Sequence, residues 1–125
     1  VVCEALRPAA RTLGYLIRCF YRAVLRTLIR HREAILDRQY VQERIARAAM
    51  EVYASACVIS RLDAELQQPE SRLPEFSPRQ AAAEYFLASS TRRILRYLRG
   101  LHDNDVESRT AAANSALSQS SSLGA

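Results

Sequence analysis

Between Asp37 and Leu66 the chain is apolar at almost every turn of a helix, and few folds accommodate such a segment. Val41, Ile45, Ala48, Val52, Ala56, Ile59, Leu62 and Leu66 recur at helical spacing. Ala46, Ala49, Met50, Ala54 and Cys57 widen the apolar arc. A helix that is apolar around most of its circumference is buried between neighbours, not laid on one surface. The segment is therefore expected at the centre of a helical bundle. Asp37 is the expected N-cap, and the helix should stop near Gln67, before Pro69. Glu43, Arg47 and Glu51 form an i, i+4 row, as do Arg61 and Glu65.

The flanking segments read as helices too. The first should run from about Ala5 to His31, with Pro8 tolerated in its first turn. Leu6, Leu13, Leu16, Ile17, Phe20, Val24, Leu28, His31 and Ile35 share its apolar face, and Arg7, Arg11, Arg18, Arg22 and Arg26 its opposite face. Gly14 inside it points to a close backbone approach. Pro69–Phe76 reads as a loop, and Ser77-Pro78-Arg79-Gln80 as a capping box that opens a third helix. That helix should reach about Arg99, with Gly100 as its stop. Ala83, Phe86, Leu87, Ile94, Tyr97, Leu98 and Leu101 form its inner face. A weaker fourth helix follows from Asp105 to about Gln119, and Ser118–Ala125 is a Ser-rich tail expected to be disordered. The expected architecture is all-α: an up-down bundle over residues 1–117, three long helices plus a weaker fourth, with antiparallel neighbours. The start at Val1 and the Ser-rich end suit a piece of a longer protein.

The 18 basic residues are all arginine. Without lysine the chain holds no Schiff-base lysine, P-loop lysine or lysine general base. The formal charge of +5 suits an anionic partner, yet acidic residues interleave with the arginines from Glu33 to Glu84, so solvated faces explain most of it. Cys3, Cys19 and Cys57 are odd in number and lack metal-type spacing, and the two histidines are far apart, so no metal site is expected. Free thiols suit a reducing compartment, the cytoplasm or the mitochondrial matrix, with membrane association as an addition. No apolar run approaches the ~18 residues of a membrane span.

No self-contained active site emerges. His31 reads as a structural histidine at the bundle end. Glu51 reads as a carboxylate on a narrow polar edge, paired with Arg47 or with an arginine of another helix. Ser89, Ser90 and Thr91 come without a nucleophile elbow, and no Gly-rich phosphate loop is present. No catalytic, cofactor-binding or metal residue is therefore expected. The candidate site is a face: Arg18, Arg22, Leu25, Arg26 and Ile29. Its readings are a solvated face, an anionic membrane surface, or a seat for a partner domain with Leu25 and Ile29 as anchors. Nucleic acid fits worst, because no recognised fingerprint is present.

One ordered pattern remains. Leu28-Ile29-x-His31, Ile35, Gln39-Tyr40, Arg44-x-Ala46, Glu51-Val52-Tyr53 and Val58-Ile59-Ser60-Arg61 follow one another without gaps. This resembles the C-terminal extension of very-long-chain acyl-CoA dehydrogenases, best over residues 20–66. The resemblance implies a parent flavoenzyme that uses FAD to oxidise an acyl-CoA thioester between its α and β carbons, passing electrons to an electron-transfer flavoprotein. The family's catalytic glutamate belongs to the preceding core, so the role is not carried onto Glu51. What carries over is a helical domain packed on the catalytic core of the same chain, in dimeric enzymes near a membrane. Related chains with this extension serve as assembly factors. The expected function is a non-catalytic C-terminal domain aiding dimer or membrane contact. The alternative is a freestanding basic adaptor for an anionic membrane or acidic partner.

Overall fold

The computed structural model describes residues 2–68, 78–102 and 105–124. A 3-10 turn at Glu4–Leu6 leads into α1, Arg7–His31. A 3-10 corner at Arg32–Asp37 turns the chain into α2, Gln39–Leu66. α3 spans Pro78–His102 and α4 spans Asp105–Leu123. No strand occurs among the described residues. The fold is the expected all-α bundle.

Long-range contacts fix the directions. Arg44 lies against Gly100, Glu51 meets Arg93, and Glu65 meets Arg79, so α2 and α3 run antiparallel. The Cys3 amide donates to the Asp63 carboxylate at 2.7 Å, which ties the start of the chain to the end of α2 and sets α1 antiparallel to it. Leu16, Ala23, Val41, Ala48, Ile94, Leu98 and Leu101 form the core. Ala23 and Ala48 keep side-chain bulk low where helices meet, which lets the axes approach. Each fully buried large side chain, such as Leu16 or Ile94, contributes roughly 1.5–3 kcal/mol relative to exposure. Thr27 is buried without penalty because its hydroxyl donates to the Ala23 carbonyl at 2.7 Å.

Several local expectations are corrected. Ile17 and Leu28 are each 45% exposed, because the inner seam of α1 follows Leu16, Ala23 and Thr27 instead. On α2 the buried position is Ser55, while Ala56 faces outward. Ala46, Ala49, Met50 and Cys57 do not extend the core but lie exposed. Asp37 does not cap α2: Arg38 occupies the cap position with no side-chain cap bond. The corner is held by Gln42, whose side-chain amide donates to the carbonyls of Ile35 at 2.7 Å and Leu36 at 3.0 Å. Gly14 approaches no backbone, since a Cβ there would meet nothing within 4 Å. Gly100 does not stop α3; it is buried inside the helix, where its bare Cα makes room for the Arg44 guanidinium. α4 continues through Ser118 to Leu123, where a disordered tail was expected. There Ser118, Ser120, Ser121 and Ser122 each donate to a carbonyl three or four residues back. The loop Pro69–Phe76 and the Ser77 part of the capping box lie outside the described residues.

Candidate functional site

Two outward faces and one buried polar cluster carry the chemistry. The cluster joins α2 to α3. Arg93 Nε donates to Glu51 Oε1 at 2.7 Å and Nη2 to Oε2 at 3.1 Å. Ser90 Oγ donates to Glu51 Oε2 at 2.7 Å, and Ser55 Oγ donates to Ser90 Oγ at 2.9 Å. The arginine face of the carboxylate is stacked in turn: the Arg93 guanidinium lies 5.8 Å from the centre of the Phe86 ring. The Arg93 hydrogen bonds hold the Glu51 carboxyl below its ordinary value, against the opposing effect of partial burial, and Ser90 adds to the lowering. Arg93 is raised by the same contact. A doubly gripped carboxylate with a lowered proton affinity is a poor general base. Glu51 is thus paired with an arginine of another helix, as its sequence context suggests, while Arg47 pairs with Glu43 at 2.8 Å.

The first outward face belongs to α2. Ala46, Ala49, Met50, Tyr53, Ala56, Cys57 and Ser60 follow at three- and four-residue steps, all are exposed, and none is charged. Tyr53 is 74% exposed and Met50 63%. The second face belongs to α1. Arg18, Arg22, Leu25, Arg26 and Ile29 are all exposed there, so the candidate residues share one outer side. α1 contains no acidic residue. Tyr15 and Tyr21 are exposed on the same helix. The Tyr15 phenol is raised chiefly by its hydrogen bond to the Cys19 thiol.

Of the residues that matter here, sequence reasoning missed Ser55 and the outward placement of Met50 and Tyr53. A strict seven-residue repeat, Val41, Ala48, Ser55 and Leu62, marks the buried seam and identifies Ser55.

Clefts are small. One of about 170 Å³ lies between α1, α2 and α3 and is lined by Leu13, Leu16, Ser55, Ile59, Leu87 and Thr91 among others. Another, of about 180 Å³, is lined by Val58, Arg61, Leu62, Glu65, Arg79 and Ala83. Both are smaller than the roughly 300–1,000 Å³ of a typical ligand pocket. No group of three metal-ligating side chains and no helix long and apolar enough to cross a membrane occurs among the described residues.

The fold defines the class: an all-α helical bundle, with an uncharged outer face along α2. The family described as ACAD9/ACADV, C-terminal domain, matches residues 4–122, and the chain belongs to it. No curated protein and no solved structure matches. Membership implies an acyl-CoA dehydrogenase-related role and a partner in the catalytic core of the same chain.

Proposed function

We propose that this bundle is the non-catalytic C-terminal domain of an FAD-dependent acyl-CoA dehydrogenase of fatty-acid β-oxidation, seated on the catalytic core of its own chain through the outer face of α2. One observation carries this reading. In a chain with 18 arginines, the α2 face from Ala46 to Ser60 is uncharged and its largest side chains stand in water. Depletion of charge around an aromatic and a methionine is the composition of an interface centre. Edge charges such as the Glu43–Arg47 pair then form the rim. Flavin, acyl-CoA and the electron acceptor are handled by the core, which works in the mitochondrial matrix, and dimer contact is left to that core. The competing reading, a freestanding basic adaptor on an anionic membrane, leaves the α2 face uncovered.

The test is Tyr53→Arg in the full chain. The wild type should melt in one transition that includes the C-terminal bundle. The variant should retain its flavin but show the bundle melting separately and its junction cut faster by protease. A single unchanged transition in the variant would refute the α2 seat.

A further inference from the structure

Gly14 stands inside α1, two turns from its start, where glycine is among the poorest helix formers. Nothing inside the bundle requires it, because a Cβ at Gly14 would meet no atom within 4 Å. Gly14 is in line with Ile17, Tyr21, Leu25 and Leu28, at three- and four-residue steps, and those four large side chains are exposed. They form an apolar ridge that starts at a gap. Arg18, Arg22 and Arg26 run along one edge of this ridge, while Leu13 and Val24 on the other edge are half-buried against the bundle. No acidic residue of α1 balances those arginines.

We propose that this ridge is the seat of an acidic amphipathic helix from a partner protein, whose backbone crosses α1 at Gly14. A missing side chain lets two helix backbones approach, since the interaxial distance follows the side chains at the contact. The one-sided row of arginines selects a helix with glutamates or aspartates along the facing edge, and it repels a basic one. A second copy of this chain is disfavoured, because its α1 offers no acidic residue to meet the arginines. A lipid surface explains the arginines but not the glycine. On lipid, Gly14 only subtracts apolar area from the ridge. This seat is independent of the α2 face, and its failure leaves the α2 reading untouched.

Three preparations of the full chain decide it: wild type, Gly14→Leu, and Arg18→Glu with Arg22→Glu. Each is titrated with two fluorescent synthetic helices that share a leucine stripe, one edged with glutamate and one with lysine. Each is also floated with phosphatidylglycerol vesicles. The glutamate-edged helix should bind wild type at least roughly tenfold more tightly than the lysine-edged one. Gly14→Leu should weaken that binding roughly tenfold or more without lowering the thermal midpoint. The double arginine variant should reverse the preference between peptides. Equal affinity for both peptides, binding of neither, or unchanged binding by Gly14→Leu would each overturn the proposal. Vesicle binding that Gly14→Leu strengthens, with no peptide binding, would assign the ridge to lipid and overturn it as well.

Discussion

Arg93 of α3 grips Glu51 of α2 at both carboxylate oxygens, at 2.7 Å and 3.1 Å. The pair sits midway along the two antiparallel helices and fixes how far one slides along the other. Bidentate arginine–carboxylate pairs carry geometric specificity as well as energy. With Ser90 and Ser55 completing the chain of donors, no buried side-chain nitrogen or oxygen is left unpartnered among the described residues.

Glu51→Gln should lower stability at neutral pH by about 1 kcal/mol, since a partly buried charge-assisted contact is lost. The pH dependence has a definite sign. The Glu51 carboxyl is depressed in the folded state, chiefly by Arg93. Its contribution is therefore complete above the unfolded glutamate value of about 4.3 and is lost as pH falls through the lower folded value. Denaturant melts of wild type and Glu51→Gln should converge on acidification below that range. A gap that stays constant or widens in acid would remove the pair from the account of stability.

Ser90 is fully buried, takes a hydrogen bond from Ser55 and gives one to Glu51. Ser90→Ala should cost about 1–2 kcal/mol, because it strands the Ser55 hydroxyl. Ser55→Ala combined with Ser90→Ala should cost less than the sum of the single changes, since no donor is then left waiting. Chemical denaturation of the three variants measures this directly. Strict additivity would mean that the two hydroxyls are not coupled.

The backbone at two positions favours the opposite residue. Gly14 lies in helix with open space around it, so Gly14→Ala should stabilise by about 0.4–1 kcal/mol. Arg32 ends α1 at φ 48°, the left-handed side that favours glycine. Arg32→Gly should raise the midpoint as well, by relief of strain on the order of 1 kcal/mol. Thermal melts of each variant suffice. A fall in either midpoint would contradict the local geometry described here.

Ala48 and Ala49 are sequence neighbours with opposite surroundings: Ala48 is wholly buried and Ala49 is exposed. Ala48→Leu should destabilise the bundle by about 1–3 kcal/mol through overpacking. Ala49→Leu should leave the bundle itself intact and act only where the α2 face is covered, as a shifted or split melt of the full chain. Identical melts for both variants would mean that the inner and outer faces of α2 are wrongly assigned.

Much of this was legible in the residues. Three-and-four spacing located α1, α2 and α3, and the inner face of α3 contains the buried Ile94, Leu98 and Leu101 that its sequence pattern marks. The ordered pattern from Leu28-Ile29 through Ser60-Arg61 points to the family that matches residues 4–122. What misled was small side chains. Alanine reads as apolar on either side of a helix, so Ala46, Ala49 and Ala56 looked like core, whereas Ser55 carries no apolar signal and has no place in the sequence-derived stripe. Burial at Ser55 depends on a partner 35 residues away, Ser90, which no local pattern reveals. Gly100 reads as a helix stop until Arg44 is seen to fill the space over it. The α1 residues Arg18, Arg22, Leu25, Arg26 and Ile29 were found as one face because their spacing alone defines it.

The most direct measurement is the reactivity of Cys57, an exposed thiol already present on the uncharged α2 face, one turn from Tyr53. The full chain is labelled with a maleimide and the rate at Cys57 is read by peptide mass spectrometry, in wild type and in Tyr53→Arg. If the catalytic core covers α2, Cys57 should label far more slowly than a free thiol in wild type and rapidly in the variant. Labelling of wild-type Cys57 at the free-thiol rate would show the face open to water and would contradict the seat on α2.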